Sequence, residues 1–185
     1  YVEKRFSKVY ATLNSMPPLT YIEVSVGKIK NINVIVSGHV KYPGNYVVNP
    51  TISLNNLLVL AGGIIETGSL RNIKLQRNES VIDSVDLYPL ITGLVSSSPS
   101  YSILNNDIIL VPPRGETVAI TGDVLIPAYF EIRGDNLKSL IKYSGQINNN
   151  KVIVSRLEAP NLIVNKDQFE NIQLANLDSI VVPKK

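Results

Sequence analysis

The sequence predicts an α+β fold built of two similar units in tandem, each a mixed β-sheet crossed by one main helix. Three observations predict it. The stretch Val34–Gly63, VIVSGHVKYPGNYVVNPTISLNNLLVLAGG, returns 84 positions later in weaker form as Val118–Gly145, VAITGDVLIPAYFEIRGDNLKSLIKYSG. Val34, Val36, Gly38, Val40, Pro43, Tyr46 and Val48 match Val118, Ile120, Gly122, Val124, Pro127, Phe130 and Ile132. One residue drops out before the helical part, so Leu54, Leu57 and Gly62 match Leu137, Leu140 and Gly145. Each copy also closes on a similar run, Ile108–Pro112 (IILVP) and Ser179–Pro183 (SIVVP). Within each copy, strand alternation gives way to helical spacing and back again. An internal repeat outranks other local signals, because it says the chain is built from units.

The first 16 residues can form a short helix, with Val2, Phe6, Val9 and Leu13 making one apolar stripe that Pro17-Pro18 ends. Leu19–Val26 alternates as a half-buried strand does, and Gly27 breaks it. Ile32, Val34 and Val36 then share one face of a strand. Gly38 interrupts it, which suggests a bulge or a close backbone approach. Tyr42-Pro43-Gly44-Asn45 reads as a turn in which proline presets φ and glycine permits a positive φ. Tyr46–Val48 returns as the second strand. Ser53 is a helix N-cap candidate, Leu54, Leu57, Leu58 and Ala61 give helical spacing, and Gly62-Gly63 is the stop. Asn72–Arg77 and Val81–Val85 read as strands turning at Asn78-Glu79. A short helical or irregular segment follows at Asp86–Leu90, a loop at Gly93–Ser102, a turn at Leu104–Asp107, and a strand at Ile108–Val111.

The second unit repeats this order. Its turn, Leu125–Ala128, lacks the glycine, and Asp135 or Asn136 can cap its helix. Short strands are expected at Val152–Val154, Leu162–Val164, Ile172–Leu174 and Ile180–Val182. A hairpin crossed by one helix, with later strands completing the sheet, is the order of a β-grasp (ubiquitin-like) fold. The predicted division is a lead-in over residues 1–30, a first unit over 31–115 and a second over 116–185. Units of about 70–85 residues lie near the lower limit for a self-sufficient core, so the two are expected to pack on each other or on flanking domains.

Composition narrows the function. The 185 residues are 44% hydrophobic, which excludes disorder. No cysteine is present, so there is no disulfide frame, thiolate metal site or thiol nucleophile. The net charge of +3 is spread thinly, with no basic run suited to nucleic acid. No apolar stretch approaches the ~18 residues that cross a bilayer, and none reads as a signal peptide. The start at Tyr1 rather than Met reads as that of a fragment.

Several motifs together resemble one known family. These are VIVSGHVKYPGNY at residues 34–46, Ala61-Gly62-Gly63, Ser69–Arg77 and Asn105–Pro112. They are similar to the SLBB (soluble-ligand-binding β-grasp) domains, found in tandem in bacterial polysaccharide biosynthesis/export proteins, the outer-membrane exporters of capsule and exopolysaccharide. The second unit keeps the outline, with Ser144-Gly145 for Ala-Gly-Gly and Pro127-Ala128 for Pro-Gly. The resemblance implies a non-enzymatic module at the periplasmic face of the outer membrane. Its implied partners are neighbouring copies in a ring, an inner-membrane polysaccharide co-polymerase and the polysaccharide, with no cofactor. The alternative is a module that binds carbohydrate or a small soluble ligand.

The candidate contact residues are Tyr42, His39, Arg71, Lys74 and Arg77. His39, the only histidine, has no metal-ligating neighbours in sequence and reads as a strand-end polar residue; the family resemblance places an acid there, as Asp123 does in the second unit. Tyr42, Tyr46, Tyr88, Tyr101, Tyr129 and Tyr143 have faces that suit sugar rings, Tyr42 foremost, whereas Tyr46 matches Phe130 and reads as core. Arg71, Lys74 and Arg77 form a basic edge, for an acidic polysaccharide, an acidic subunit face or solvent. Gly62-Gly63 lacks the rest of a phosphate-binding motif. A serine triad would have to use His39 without a G-x-S-x-G elbow, and Asp83 and Asp86 have no aligned acid/base role, so no catalytic set is expected.

Overall fold

The structure, a computed structural model, describes residues 2–6, 8–10, 21–23, 27–94, 102–145, 147 and 149–184. Residues up to Lys30 form one compact unit and Asn31–Lys185 another. In the first unit, α1 (Val2–Phe6) is a little over one turn long. Phe6 and Val9 of the predicted stripe are exposed, and Leu13, Pro17 and Pro18 lie outside the described residues. Tyr21–Glu23 does not form the predicted strand, and the rest of Leu19–Val26, Val26 included, lies outside or just before the described residues.

The second unit holds two five-stranded sheets of the same topology. The first lobe comprises β1 (Ile32–Gly38), β2 (Gly44–Val48), α2 (Leu54–Leu60), β3 (Ile73–Arg77), β4 (Ser80–Val85), α3 (Tyr88–Ile91) and β5 (Ile108–Val111). The second comprises β6 (Thr117–Gly122), β7 (Ala128–Glu131), α4 (Leu137–Tyr143), β8 (Lys151–Ser155), β9 (Leu162–Asn165), a 3₁₀ turn (Lys166–Gln168) and β10 (Ser179–Val182). Strand order is β2-β1-β5-β3-β4 in one sheet and β7-β6-β10-β8-β9 in the other. In each, the first and last strands of the lobe lie parallel at the centre, and every other pairing is antiparallel. These are two tandem β-grasp-like lobes, and the fold is α+β.

The alternating residues fill the cores. Val34 and Val36 of β1, Ile73 and Leu75 of β3, and Ile109 and Val111 of β5 point to one side and meet Leu54, Leu57 and Leu58 of α2. Val118, Ile120, Val152, Val154, Ile180 and Val182 meet Leu137, Leu140 and Ile141 of α4 in the same way. Truncating one of these, Leu57 for example, would cost about 2–5 kcal/mol. The Ser53 hydroxyl caps α2 by accepting from the Asn56 amide at 3.2 Å. In α4 the cap is Asn136, which accepts from the Ser139 amide at 3.0 Å. Gly62 and Gly63 end α2 with left-handed φ, their amides donating to Val59 and Leu58 carbonyls.

Two local expectations change. The β1–β2 connection is a broad loop, because pairing stops at Val36 opposite Gly44. Gly44 belongs to β2, and the left-handed residue is Gly38, φ +85°, where β1 passes against β5. A Cβ on Gly38 would lie 2.0 Å from the Val111 carbonyl oxygen. Gly122, φ +92°, repeats this against Val182 at the same 2.0 Å. Ile172–Leu174 is not a strand; Gln173 makes only an isolated bridge to Asn136.

The lobes pack on each other, as their size predicts. Leu70 and Tyr88, both from the first lobe, belong to the apolar cluster of the second.

Candidate functional site

The richest polar assembly lies where the lobes meet, and it is centred on Arg71. The residue follows the approach to β3 and is 5% exposed. Its guanidinium bonds Asp86 at 2.9 Å and the Glu131 carbonyl at 3.1 Å, and pairs with Asp135 across the junction. It also lies over two aromatic rings, 4.8 Å from the Tyr88 centroid and 5.3 Å from that of Tyr143. Burial disfavours the cation, but Asp135 and Asp86 outweigh it and hold Arg71 firmly protonated.

Glu131 is the second anchor. It is 4% exposed, and its carboxylate accepts from the Ser69 hydroxyl at 2.7 Å and from the amides of Leu70 and Gly115 at 3.0 Å. Its own amide donates to the Tyr88 hydroxyl at 2.6 Å. Arg133 donates back to the Arg71 carbonyl at 2.6 Å. Tyr88 meets Phe130 and Tyr143 edge to face, with centroids 6.0 and 5.3 Å apart. Burial raises the pKa of both tyrosines, so they stay neutral donors and acceptors at ordinary pH. Every charge in the assembly has a partner from the other lobe or its own. Such a network fixes geometry.

The predicted basic edge of Arg71, Lys74 and Arg77 is therefore dispersed. Arg71 is buried in the junction. Arg77 is engaged by Asp107, bonding both carboxylate oxygens at 2.7 and 2.8 Å, and also donates to the Ser102 carbonyl. Lys74 is half-exposed, on β3 between Ser84 and Leu110 of the flanking strands. The reason lies in Asp107 and Asp135, turn and loop acids whose partners cannot be read from strand spacing.

His39 and Tyr42 share the β1–β2 loop. His39 Nδ1 lies 2.9 Å from the Thr67 hydroxyl, and its backbone bonds Val111 and Ile65. Tyr42 is 56% exposed, its ring against Gly62 and near the Lys41 ammonium, 5.2 Å from the centroid. Tyr46 packs on the first core, in line with its match to the buried Phe130. Tyr101 lies outside the described residues. Among the described residues, no three His, Asp or Glu side chains are grouped to hold a metal, and no helix is long and apolar enough to cross a membrane.

Sequence reasoning missed Ser69, Glu131 and Asp135. Glu131 sits between Phe130 and Ile132, on the face that alternation assigns to solvent. Its counterpart in the first lobe, Val47, is 65% exposed. The first lobe buries Glu131, and no pattern within β7 carries that information.

A second arrangement recurs in both lobes. Arg77 grips Asp107, and Arg156 grips Asp178 at 3.1–3.2 Å. Each aspartate also accepts from the amide three residues before it, Leu104 or Ala175. Each clamp fastens the turn that leads into the last strand. A third recurring feature is a groove flanking the main helix. In the first lobe it holds about 290 Å³ and includes Leu58, Val59, Leu87 and Ile91. In the second it holds about 500 Å³ and includes Lys138, Ile141, Lys142, Lys166 and Phe169.

Residues 33–83, from β1 into β4, match the SLBB domain family. Two curated proteins of Escherichia coli, each named polysialic acid transport protein KpsD, are each 33% identical to this chain over 118 residues, 63% of its length. The matched stretch is 21% of the length of each relative, so the chain spans about a fifth of them. Residues 33–83, which carry the first lobe's hairpin, main helix and the start of its later strands, are thus similar to SLBB domains.

Proposed function

We propose that the chain is a non-enzymatic interaction module of a bacterial polysaccharide export protein. In this reading its paired lobes work as one rigid block at the periplasmic face of the outer membrane. The block contacts neighbouring copies and an inner-membrane co-polymerase during capsule or exopolysaccharide translocation. The observation that supports the reading is the Arg71–Glu131 junction, where buried charges join the two lobes by hydrogen bonds and an ion pair. A block of fixed shape presents its outer faces in register, as a translocation assembly requires. The polysaccharide setting is supported by the two relatives named for polysialic acid transport.

The test is made in the bacterium that carries the full-length protein. Removing residues 31–185 should abolish surface polysaccharide while the precursor accumulates inside the cell. Unchanged surface polysaccharide would overturn the export role. Turnover of a glycan by the purified chain would overturn the non-enzymatic one.

A further inference from the structure

The helix-flanking groove occurs in both lobes at equivalent positions, with different linings. Asn55, Leu58 and Val59 of α2 line the first groove, and Lys138, Ile141 and Lys142 of α4, 83 positions on, line the second. The opposite wall comes from the segment after the fourth strand of each lobe: Leu87, Leu90 and Ile91 in the first, Lys166, Asp167, Phe169 and Glu170 in the second. Among the described residues, the first groove has no charged lining residue. The second has three lysines and two acids around Ile141, Ile147 and Phe169. The duplicated fold explains why a groove exists twice. It does not explain why one copy became larger and cationic.

The charges are unequally engaged. Lys138 pairs with Glu170, and both side chains are about two-thirds exposed at the rim. Among the described residues, Lys142 and Lys166 take part in no ion pair, and Asp167 is the one other acid lining the groove. Two exposed ammonium groups therefore stand over an apolar floor, with one carboxylate opposing them. A space of about 500 Å³ is within the range of small-ligand sites.

We propose that the groove between α4 and the Lys166–Glu170 segment is a binding site for a carboxylated sugar, with Lys142 and Lys166 holding the carboxylate and Ile141 and Ile147 meeting the C–H face of the ring. The choice of a sugar acid over an acidic peptide rests on the polysaccharide-export reading. The location of the anion site does not. The Lys138–Glu170 pair, which also lines the groove, supplies hydroxyl-bonding groups. Asp167 weakens the site by opposing the ligand's charge and so sets its affinity.

The test titrates the 185-residue chain calorimetrically with hexagalacturonate, with neutral maltohexaose, and with hexaglutamate peptide. Hexagalacturonate should bind saturably, more weakly as salt rises, while maltohexaose should not. Lys142→Val, which installs the first-lobe residue, and Lys166→Gln should each weaken it roughly tenfold. Asp167→Asn should tighten it about threefold, a gain that a misfolded variant cannot give. Lys74→Ala, on the sheet of the other lobe, should leave it unchanged. Absence of saturable hexagalacturonate binding, or binding indifferent to Lys142 and Lys166, overturns the site. Preference for hexaglutamate overturns the sugar assignment. Either failure leaves the export reading standing if cells lacking residues 31–185 lose surface polysaccharide. Binding together with normal export in those cells would sink the export reading and keep the site.

Discussion

At the scale of single residues, the backbone at Gly38 and Gly122 sets the centre of each sheet. Both glycines adopt a left-handed φ where the first strand passes the last, and both leave no room for a Cβ beside a carbonyl oxygen. Gly38→Ala should destabilise the chain by about 2–4 kcal/mol, combining the left-handed penalty with a forced shift of β5. Gly44→Ala is the control, because nothing lies within 4 Å of its added Cβ and its φ is not left-handed. It should change stability by less than about 1 kcal/mol. Urea unfolding of the two variants measures the contrast; equal losses would contradict this account. The interruption at Gly38 was legible in the sequence as a bulge or a close backbone approach, and the structure shows the close approach. That Gly44 needs no special freedom was not, since Pro-Gly carries the same local signal in a tight turn and at the start of a strand.

At the scale of elements, the arginine–aspartate clamps hold the turns before β5 and β10. Asp107 is fully buried. Burial pushes its pKa up, but the Arg77 guanidinium and the Leu104 amide pull harder, and it settles below the usual aspartate value. A depressed folded-state pKa stabilises the fold above the unfolded-state value, about 3.9, and that contribution fades as pH falls through the folded-state value. Arg77→Met removes the largest downward pull and leaves the burial. The acid-unfolding midpoint should therefore move to higher pH, as followed by circular dichroism, with little change in fold at neutral pH. An unmoved midpoint would mean that solvent, and not Arg77, keeps Asp107 charged. The strands and helices themselves were readable from alternation and capping, because those signals lie within a few residues. The clamps join residues 22 and 30 positions apart through side chains, so no local pattern announced them.

At the scale of the whole second unit, the question is whether two lobes behave as one. Each lobe alone is small for a self-sufficient core, and the structure answers that shortage with a shared one, Leu70 and Tyr88 crossing into the second cluster. The repeat made two units legible. The junction was not legible, because it depends on residues that break the repeat: Glu131 where the first lobe has Val47, and Tyr143 where it has Leu60. Glu131 and Tyr143 contact the preceding lobe through Ser69 and Arg71, whereas Val47 and Leu60 are exposed. Arg71 is thus the residue on which cooperativity should turn. With Arg71 in place, urea should unfold both lobes in one transition, the same by far-ultraviolet circular dichroism and by tyrosine fluorescence. Arg71→Met leaves Asp135 buried without its cation and should cost about 3–5 kcal/mol. Because the loss falls on the interface and not on either core, the single transition should separate into two. Arg71→Lys restores the charge but not the guanidinium's divergent hydrogen bonds to Asp86, Asp135 and the Glu131 carbonyl, and should recover only part of the loss. Hydrogen exchange locates the effect: in Arg71→Met the amides of Leu70, Gly115 and Glu131 should lose protection, while those of Val36 and Ile109, deep in the first sheet, should keep theirs. Uniform loss of protection across both sheets would instead mean that Arg71 supports the first core directly, and that the junction is a passive contact.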